Sequence, residues 1–158
     1  MSESPPLNFS WIDVGRLAAM GWPQTVANLS YLVSQGIGTL VTLSPERRPP
    51  VQFPPELSHR EIPIEEFQVP TFEQIDEFIE ICRKNHSENQ AVGIHCRQGR
   101  GRTGTMAACY VVYFQNMPPQ RAVLNVRLLR PGSIETYGQE KVVEEYHDYL
   151  RRNQPSTN

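Results

Sequence analysis

The sequence predicts an α/β layered domain, and three features of its 158 residues carry that expectation. Short apolar runs suited to strands alternate with segments whose apolar residues recur at helical spacing. Proline and glycine clusters punctuate them, and the second half of the chain reads as helical almost throughout. Neither an internal repeat nor a linker divides the chain, so residues 1–152 form one domain, with a disordered tail, "NQPSTN", at 153–158. A chain of this length buries roughly 68–70% of its unfolded surface and needs no disulfide for stability.

"QTVANLSYLVSQ" (24–35) sets Val26, Leu29, Leu32 and Val33 on one helix face, and Gly36 ends that helix. "GTLVTLS" (38–44) is a buried strand. The five prolines between Pro45 and Pro55 make the next segment an irregular loop. "SHREIPI" is a short strand. Thr71 and Gln74 form a capping box that opens a helix carrying Phe72, Ile75, Phe78, Ile79 and Cys82 on one side. "AVGIH" (91–95) is a central strand, followed by a helix from Thr103 to Gln115. Pro118 and Pro119 break that helix and start another through Leu129, after which "RPGS" turns the chain. A second capping box, Thr136 to Gln139, opens a last helix through Val142, Val143, Tyr146, Tyr149 and Leu150.

The formal net charge of −2 argues against a nucleic-acid partner, but it conceals a segregation. Between Asn89 and Ile134 there are six arginines (97, 100, 102, 121, 127, 130) and no acid, and between Glu61 and Glu80 there are seven acids and no base. The acidic block suits a solvated helix face. The arginine block does not, because three of its charges fall in one glycine-rich stretch, "HCRQGRGRTGT" (95–105). Three cysteines without CxxC spacing indicate free thiols in a reducing compartment, the cytoplasm or also the nucleus. "MSESPPLNFS" lacks a targeting pattern and the longest apolar run is too short to span a bilayer, so no integral membrane segment is expected.

A strand feeding a tight loop that opens a helix concentrates unpaired N–H groups and the helix dipole on one point, an arrangement suited to phosphate. Here that point holds Cys96. The field that attracts an oxyanion also favours a thiolate, which makes Cys96 a nucleophile at neutral pH. Arg102 sits where the loop closes, placed to hold two phosphate oxygens in a fork. His95 is an orienting neighbour of the loop. Metal binding needs a cluster of ligands, and only the adjacent His95 and Cys96 present themselves, so neither metal nor cofactor is expected.

"HCRQGRGRTGT" matches the HCxxGxxR[ST] signature, "IPIEEFQVPTFEQIDEF" resembles the general-acid loop, and "RPGSIETYGQE", "NFSW" and "GRLA" extend the likeness over essentially the whole chain. The chain thus resembles the cysteine-dependent protein tyrosine phosphatases, and among them the small atypical dual-specificity phosphatases. That resemblance implies the dual-specificity phosphatase fold, a central, mostly parallel sheet flanked by helices with a helical C-terminal half. It also implies a monomer and a two-step phosphoryl transfer through a cysteinyl-phosphate.

Carried over by position, Cys96 is the nucleophile, Arg102 binds phosphate and Thr103 stabilises the departing thiolate. Arg97, Gln98, Gly99, Arg100 and Gly101 form the phosphate cradle. Gln139 helps to position the hydrolytic water, and Glu135 either shares that work or serves the turn. One position departs from the family pattern: the general acid is usually Asp, whereas Glu66 stands there, 30 residues before Cys96. The extra methylene matters, because misplacement of that order costs about 10²-fold in a positioned reaction. In an extended segment its neighbour Glu65 would point the other way.

The expected substrates are phosphotyrosine proteins and other aryl phosphates, with phosphoserine and phosphothreonine weaker, since a phenol needs less protonation to leave. Two alternatives stay open. Arg97 and Arg100 occupy the variable loop positions where lipid phosphatases of the superfamily carry lysines, which would suit polyanions such as phosphoinositides; equally they face solvent or pair with the acidic block. The irregular acid also admits a phosphate-binding module with little turnover.

Overall fold

The computed structural model describes residues 3–153. Ten elements follow one another: β1 (Ser10–Asp13), β2 (Leu17–Met20), α1 (Val26–Ser34), β3 (Ile37–Thr42), β4 (Ser58–Glu61), α2 (Phe72–Ser87), β5 (Ala91–His95), α3 (Gly101–Phe114), α4 (Pro119–Leu129) and α5 (Tyr137–Asn153). The strands form one sheet in the order β1-β2-β5-β3-β4. Only β1 runs antiparallel to its neighbour, and the other pairs are parallel. The β1–β2 hairpin lies in the "NFSW" and "GRLA" segments, whose strands hydropathy did not announce.

Strand alternation sends side chains to two cores. Leu17, Ala19, Val41, Val92 and Ile94 face the larger core with α2, α3, α4 and α5, whereas Ala18, Met20, Ile37, Leu40 and Ala91 face the smaller one with α1. The first twelve residues of α3 are all buried, because α2, α4, α5 and the sheet enclose that helix. Both predicted capping boxes form. The Thr71 hydroxyl accepts from the Gln74 N–H at 3.1 Å, and the Thr136 hydroxyl accepts from the Gln139 N–H at 3.0 Å. Gly36 ends α1 at φ 85°, in the left-handed region.

Several boundaries differ from the sequence expectation: β3 ends at Thr42 rather than Ser44 and β4 at Glu61 rather than Ile64, and two helix ends bear on the loop and the tail. α3 begins at Gly101 rather than Thr103, since the loop closes directly into the first helical turn. α5 includes Asn153, assigned above to the tail, whose Nδ2 donates to the Tyr149 carbonyl at 2.8 Å. The remaining tail residues, 154–158, lie outside the described part. Among the described residues, no helix is long and apolar enough to cross a membrane.

Register places the functional region. His95 at the end of β5 pairs with Met20 of β2 on one side and Thr42 of β3 on the other. The segments following all three strands therefore emerge at the same carboxyl edge of the sheet, where open α/β sheets bind ligands.

Candidate active site

The loop from Cys96 to Gly101 is shaped by where its carbonyls go. The Cys96 carbonyl faces His95 Nδ1 at 3.2 Å, that of Arg97 accepts from the Trp22 N–H at 3.1 Å, and that of Gln98 accepts from Asn8 Nδ2 at 3.0 Å. The Gly99 carbonyl accepts from Arg130 Nη2 at 2.7 Å, and the Arg100 carbonyl takes the N–H groups of Gly104 and Ile134 at 3.0 and 3.1 Å. With these carbonyls drawn outward, the N–H groups are left for the inside of the loop. Among the described residues no acceptor takes the N–H of Arg97, Gln98, Gly99 or Arg100. Such a ring of inward N–H groups at a helix start is an anion nest.

Two glycines mark close approaches to this loop, and its shape requires the first. Gly99 has φ 76°, and a Cβ there would lie 2.6 Å from the Met20 carbonyl and 2.7 Å from Arg130 Nη2. A Cβ on Gly101 would lie 2.5 Å from Glu135 Oε1 and 3.0 Å from Gln139 Nε2, so both of those side chains stand against the loop.

Cys96, the first residue of the loop, is 3% exposed. The other two cysteines, Cys82 and Cys109, are thiols of the core, which burial pushes up and so keeps neutral. Arg102, also 3% exposed, is held by Glu46, with Nη1 at 2.9 Å and Nη2 at 2.7 Å from its carboxylate oxygens, and by the Ile64 carbonyl at 2.8 Å from Nη1. These contacts occupy the end and one side of the guanidinium. What they leave over is Nε–H and one Nη2 hydrogen, the side fork that matches two phosphate oxygens. Burial works to discharge Arg102, but the Glu46 hydrogen bond and the charges of Cys96, Glu46 and Glu66 outweigh it and raise its pKa. In return, the hydrogen bond from Arg102 lowers that of Glu46.

Glu66 lies in a turn, closed by the Gln68 N–H donating to the Glu65 carbonyl at 3.0 Å, with Phe67 at φ 66°. The segment is not extended, so the alternation argument that turned Glu65 away does not apply. Glu66 is set apart by its neighbours instead. Its carboxylate is 4.0 Å from Arg97 Nη1, and its charge reaches Arg102. The turn is tied to α5 by Gln139 Nε2, which donates to the Gln68 carbonyl at 3.3 Å.

His95 is fully buried, and burial lowers it to about 4, so it is neutral at pH 7. Its Nδ1–H donates to the Cys96 carbonyl, and its Nε2 takes the Thr42 hydroxyl, 2.7 Å away, a tautomer inferred from the network. It lies behind the loop, in contact with the carbonyl of its first residue. Thr103 is also fully buried, but its hydroxyl makes no hydrogen bond, and the expected contact with Cys96 is not formed. Gln139 is beside the loop, yet its Oε1 caps α5 by accepting from the N–H groups of Glu135 and Thr136 at 2.8 and 3.2 Å, leaving only Nε2 to face the site. Arg97 and Arg100 are exposed at the rim.

Sequence reasoning missed four residues that build the site: Glu46, Trp22, Asn8 and Arg130. Trp22 joins two loops, since its N–H holds the Arg97 carbonyl while Nε1 donates to the Arg48 carbonyl at 2.6 Å and Arg47 lies over its ring. An available signal was that Glu46 is an acid isolated in a basic, proline-rich stretch, "SPERRPP".

Comparisons with known proteins agree with this geometry. Residues 6–143 match the family described as Swiss Army Knife protein, DSP-PTPase phosphatase domain. The chain is 37% identical over 78 residues, 49% of its own length, to the phosphatidylglycerophosphate phosphatase PTPMT1 of Arabidopsis thaliana. It is 26% identical over 147 residues, 84% of its length, to the dual specificity protein phosphatase CDC14C of Homo sapiens. It spans 23% and 32% of those two relatives. Among solved structures, Tk-PTP in its active form superposes with a TM-score of 0.78 at 27% identity, covering 89% of this chain and 97% of that one. PTPMT1 in complex with PI(5)P shares the fold, with a TM-score of 0.80 at 18% identity over 92% of this chain and 97% of that one. Together with the nest around Cys96 and Arg102, the match over residues 6–143 shows that the chain belongs to the DSP-PTPase phosphatases of the cysteine-dependent protein tyrosine phosphatase superfamily.

Proposed function

We propose that the protein hydrolyses phosphomonoesters of phenols, phosphotyrosine in proteins first and phosphoserine or phosphothreonine more slowly, through a cysteinyl-phosphate. The observation that carries this proposal is the loop itself, whose carbonyls are each held outward so that its N–H groups converge on Cys96. In the first step the Cys96 thiolate attacks phosphorus, the ester P–O bond breaks, and Glu66 gives its proton to the departing phenolate. The N–H groups and the Arg102 fork bind the equatorial oxygens, which carry the charge of the transition state. In the second step a water attacks phosphorus, Glu66 takes its proton back, and the S–P bond breaks to release phosphate and the thiolate. We assign the holding of that water to Glu135 and Gln139 Nε2, a reading supported by their closeness to Gly101.

A second substrate class, polyanionic phosphomonoesters such as phosphoinositides, is favoured by the exposed guanidinium groups of Arg97 and Arg100 beside the nest. Similarity to a phosphatidylglycerophosphate phosphatase supports the same class. The pairing of Arg97 with Glu66 weighs against it, because that guanidinium already has a partner.

A panel of phosphotyrosine, phosphoserine, phosphothreonine and phosphoinositide substrates, run with wild type, Cys96→Ser and the Arg97→Ala/Arg100→Ala double variant, tests these assignments. Turnover of phosphotyrosine that resists EDTA and vanishes in Cys96→Ser is expected. Turnover surviving that substitution overturns the cysteine mechanism. Retention of phosphopeptides by wild type without turnover marks a binding module. If the double variant loses polyanions while keeping aryl phosphates, the second class is the right one.

A further inference from the structure

Arg130, at the end of α4, is 2% exposed and reaches across the molecule under the loop. Its Nη1 donates to the carbonyls of Asn8 at 2.7 Å and Ala19 at 3.1 Å and to the Ser10 hydroxyl at 2.7 Å, and its Nη2 donates to the carbonyl of Gly99. Its Nε is buried with no acceptor. No carboxylate lies within salt-bridge distance among the described residues, in contrast to Arg102, which Glu46 neutralises. A buried cation matched only by neutral acceptors is costly, and proteins ordinarily pair such charges. Burial pushes Arg130 down to about 10, the charge of Cys96 pulls it back up, and it stays protonated at neutral pH.

We propose that Arg130 is a positioning residue of the phosphate loop, whose fixed charge is matched by the anions the loop itself holds, the Cys96 thiolate and the phosphate. The mechanical part follows from Gly99. Its carbonyl is drawn down to Nη2, so the peptide that follows presents the Arg100 N–H to the nest, and the close approach to Arg130 tolerates no side chain at Gly99. The electrostatic part follows from the missing carboxylate. An acid beside Arg130 would cancel its charge; carbonyl dipoles hold it in place without cancelling it. The other titratable or charged groups around Cys96 are Arg102 on α3 with Glu46 behind it, Glu66 and Arg97 at the acid turn, Glu135 beside Gly101, and His95, neutral, behind the loop.

This proposal rests on residues 96–102 being the phosphate loop, and its test separates the two. Iodoacetamide alkylation of Cys96 is followed against pH in wild type, Arg130→Lys and Arg130→Met, alongside kcat/KM for p-nitrophenyl phosphate. Lys keeps the charge but cannot span the acceptors on both sides. Both variants should lose about tenfold or more in kcat/KM, because the Gly99 peptide is released. The alkylation midpoint should rise by about one pH unit in Arg130→Met and clearly less in Arg130→Lys. An unmoved midpoint in both variants, with only stability reduced, overturns the electrostatic role. Full kcat/KM in both overturns the positioning role, while loss of wild-type turnover in Cys96→Ser would still uphold the loop as the phosphate site.

A second measurement needs no folded Arg130 variant. The Arg130 Nε–H is buried and unbonded, so its NMR resonance should move through the same midpoint as alkylation in wild type and stay still in Cys96→Ser. A resonance that ignores Cys96 overturns the proposal.

Discussion

Replacing Glu46 by Gln isolates the contribution of a single carboxylate to the arginine of the phosphate loop. Glu46 meets Arg102 through two charge-assisted contacts, 2.9 and 2.7 Å long, and the two side chains are 34% and 3% exposed. Removing one partner of a fully buried pair costs about 3–5 kcal/mol, whereas a surface pair is worth about 0–1 kcal/mol. With one partner buried and the other a third exposed, a loss of about 2 kcal/mol in stability is expected. Gln keeps the size and one acceptor, but it sets an NH₂ group against a guanidinium nitrogen, so the end-on fork cannot be kept. Arg102 then keeps the Ile64 carbonyl and at most one acceptor at position 46, and can rotate its side fork away from the nest. A displacement of about 1 Å in a positioned reaction costs up to about 10²-fold, so kcat for p-nitrophenyl phosphate should fall between about ten- and a hundredfold. Steady-state kinetics and urea unfolding on the same preparations separate catalysis from stability, and Glu61→Gln, which breaks the exposed pair with Arg48, is the control. A Glu46→Gln protein within twofold of wild type in kcat would show that Arg102 is oriented without Glu46 and refute the reasoning.

Two further outcomes are expected. Glu66→Gln should slow poor leaving groups far more than activated phenols and flatten the basic limb of the pH profile, while Glu65→Gln should do little; equal effects measured across a leaving-group series would displace Glu66 as the acid. His95, lowered from 6.5 to about 4 by burial, binds its proton in the unfolded chain before the folded one does, so its contribution to stability is complete above about pH 6.5 and lost as pH falls toward 4. That amounts to about 3 kcal/mol; urea titrations between pH 7.5 and pH 4 should show a slope that His95→Asn reduces, and an unchanged slope would mean that other groups carry the acid sensitivity.

Much of the architecture is local and therefore legible in the sequence. The helical periods, the Thr71 and Thr136 capping boxes, Gly36 at the end of α1 and the apolar run of β5 each depend on residues within a few positions of one another. The loop at 95–105 is legible for the same reason: a thiol, glycines and arginines between a strand and a helix state an anion site within one short segment. The β1–β2 hairpin was not, because its short strands are specified by pairing with each other and with β5. Nor was the turn at Glu66, whose geometry is set by its tie to α5 rather than by a strand-like pattern.

What only the tertiary structure decided is which charges meet. The sequence singled out Arg102 within the arginine block but not the partners of any of the six; the fold sends Arg102 to Glu46, leaves Arg97 and Arg100 at the rim, and carries Arg130 under the loop from 31 residues away along the chain. Glu46, Asn8 and Trp22 come to the same place from separate segments, because the parallel register brings the ends of β2, β5 and β3 to one edge and the antiparallel pairing with β2 brings the start of β1 to it. Spacing along a chain cannot encode such encounters. They depend on sheet order and on where buried guanidinium groups find acceptors, so the sequence determines the presence of the nest, and long-range packing determines what holds it open.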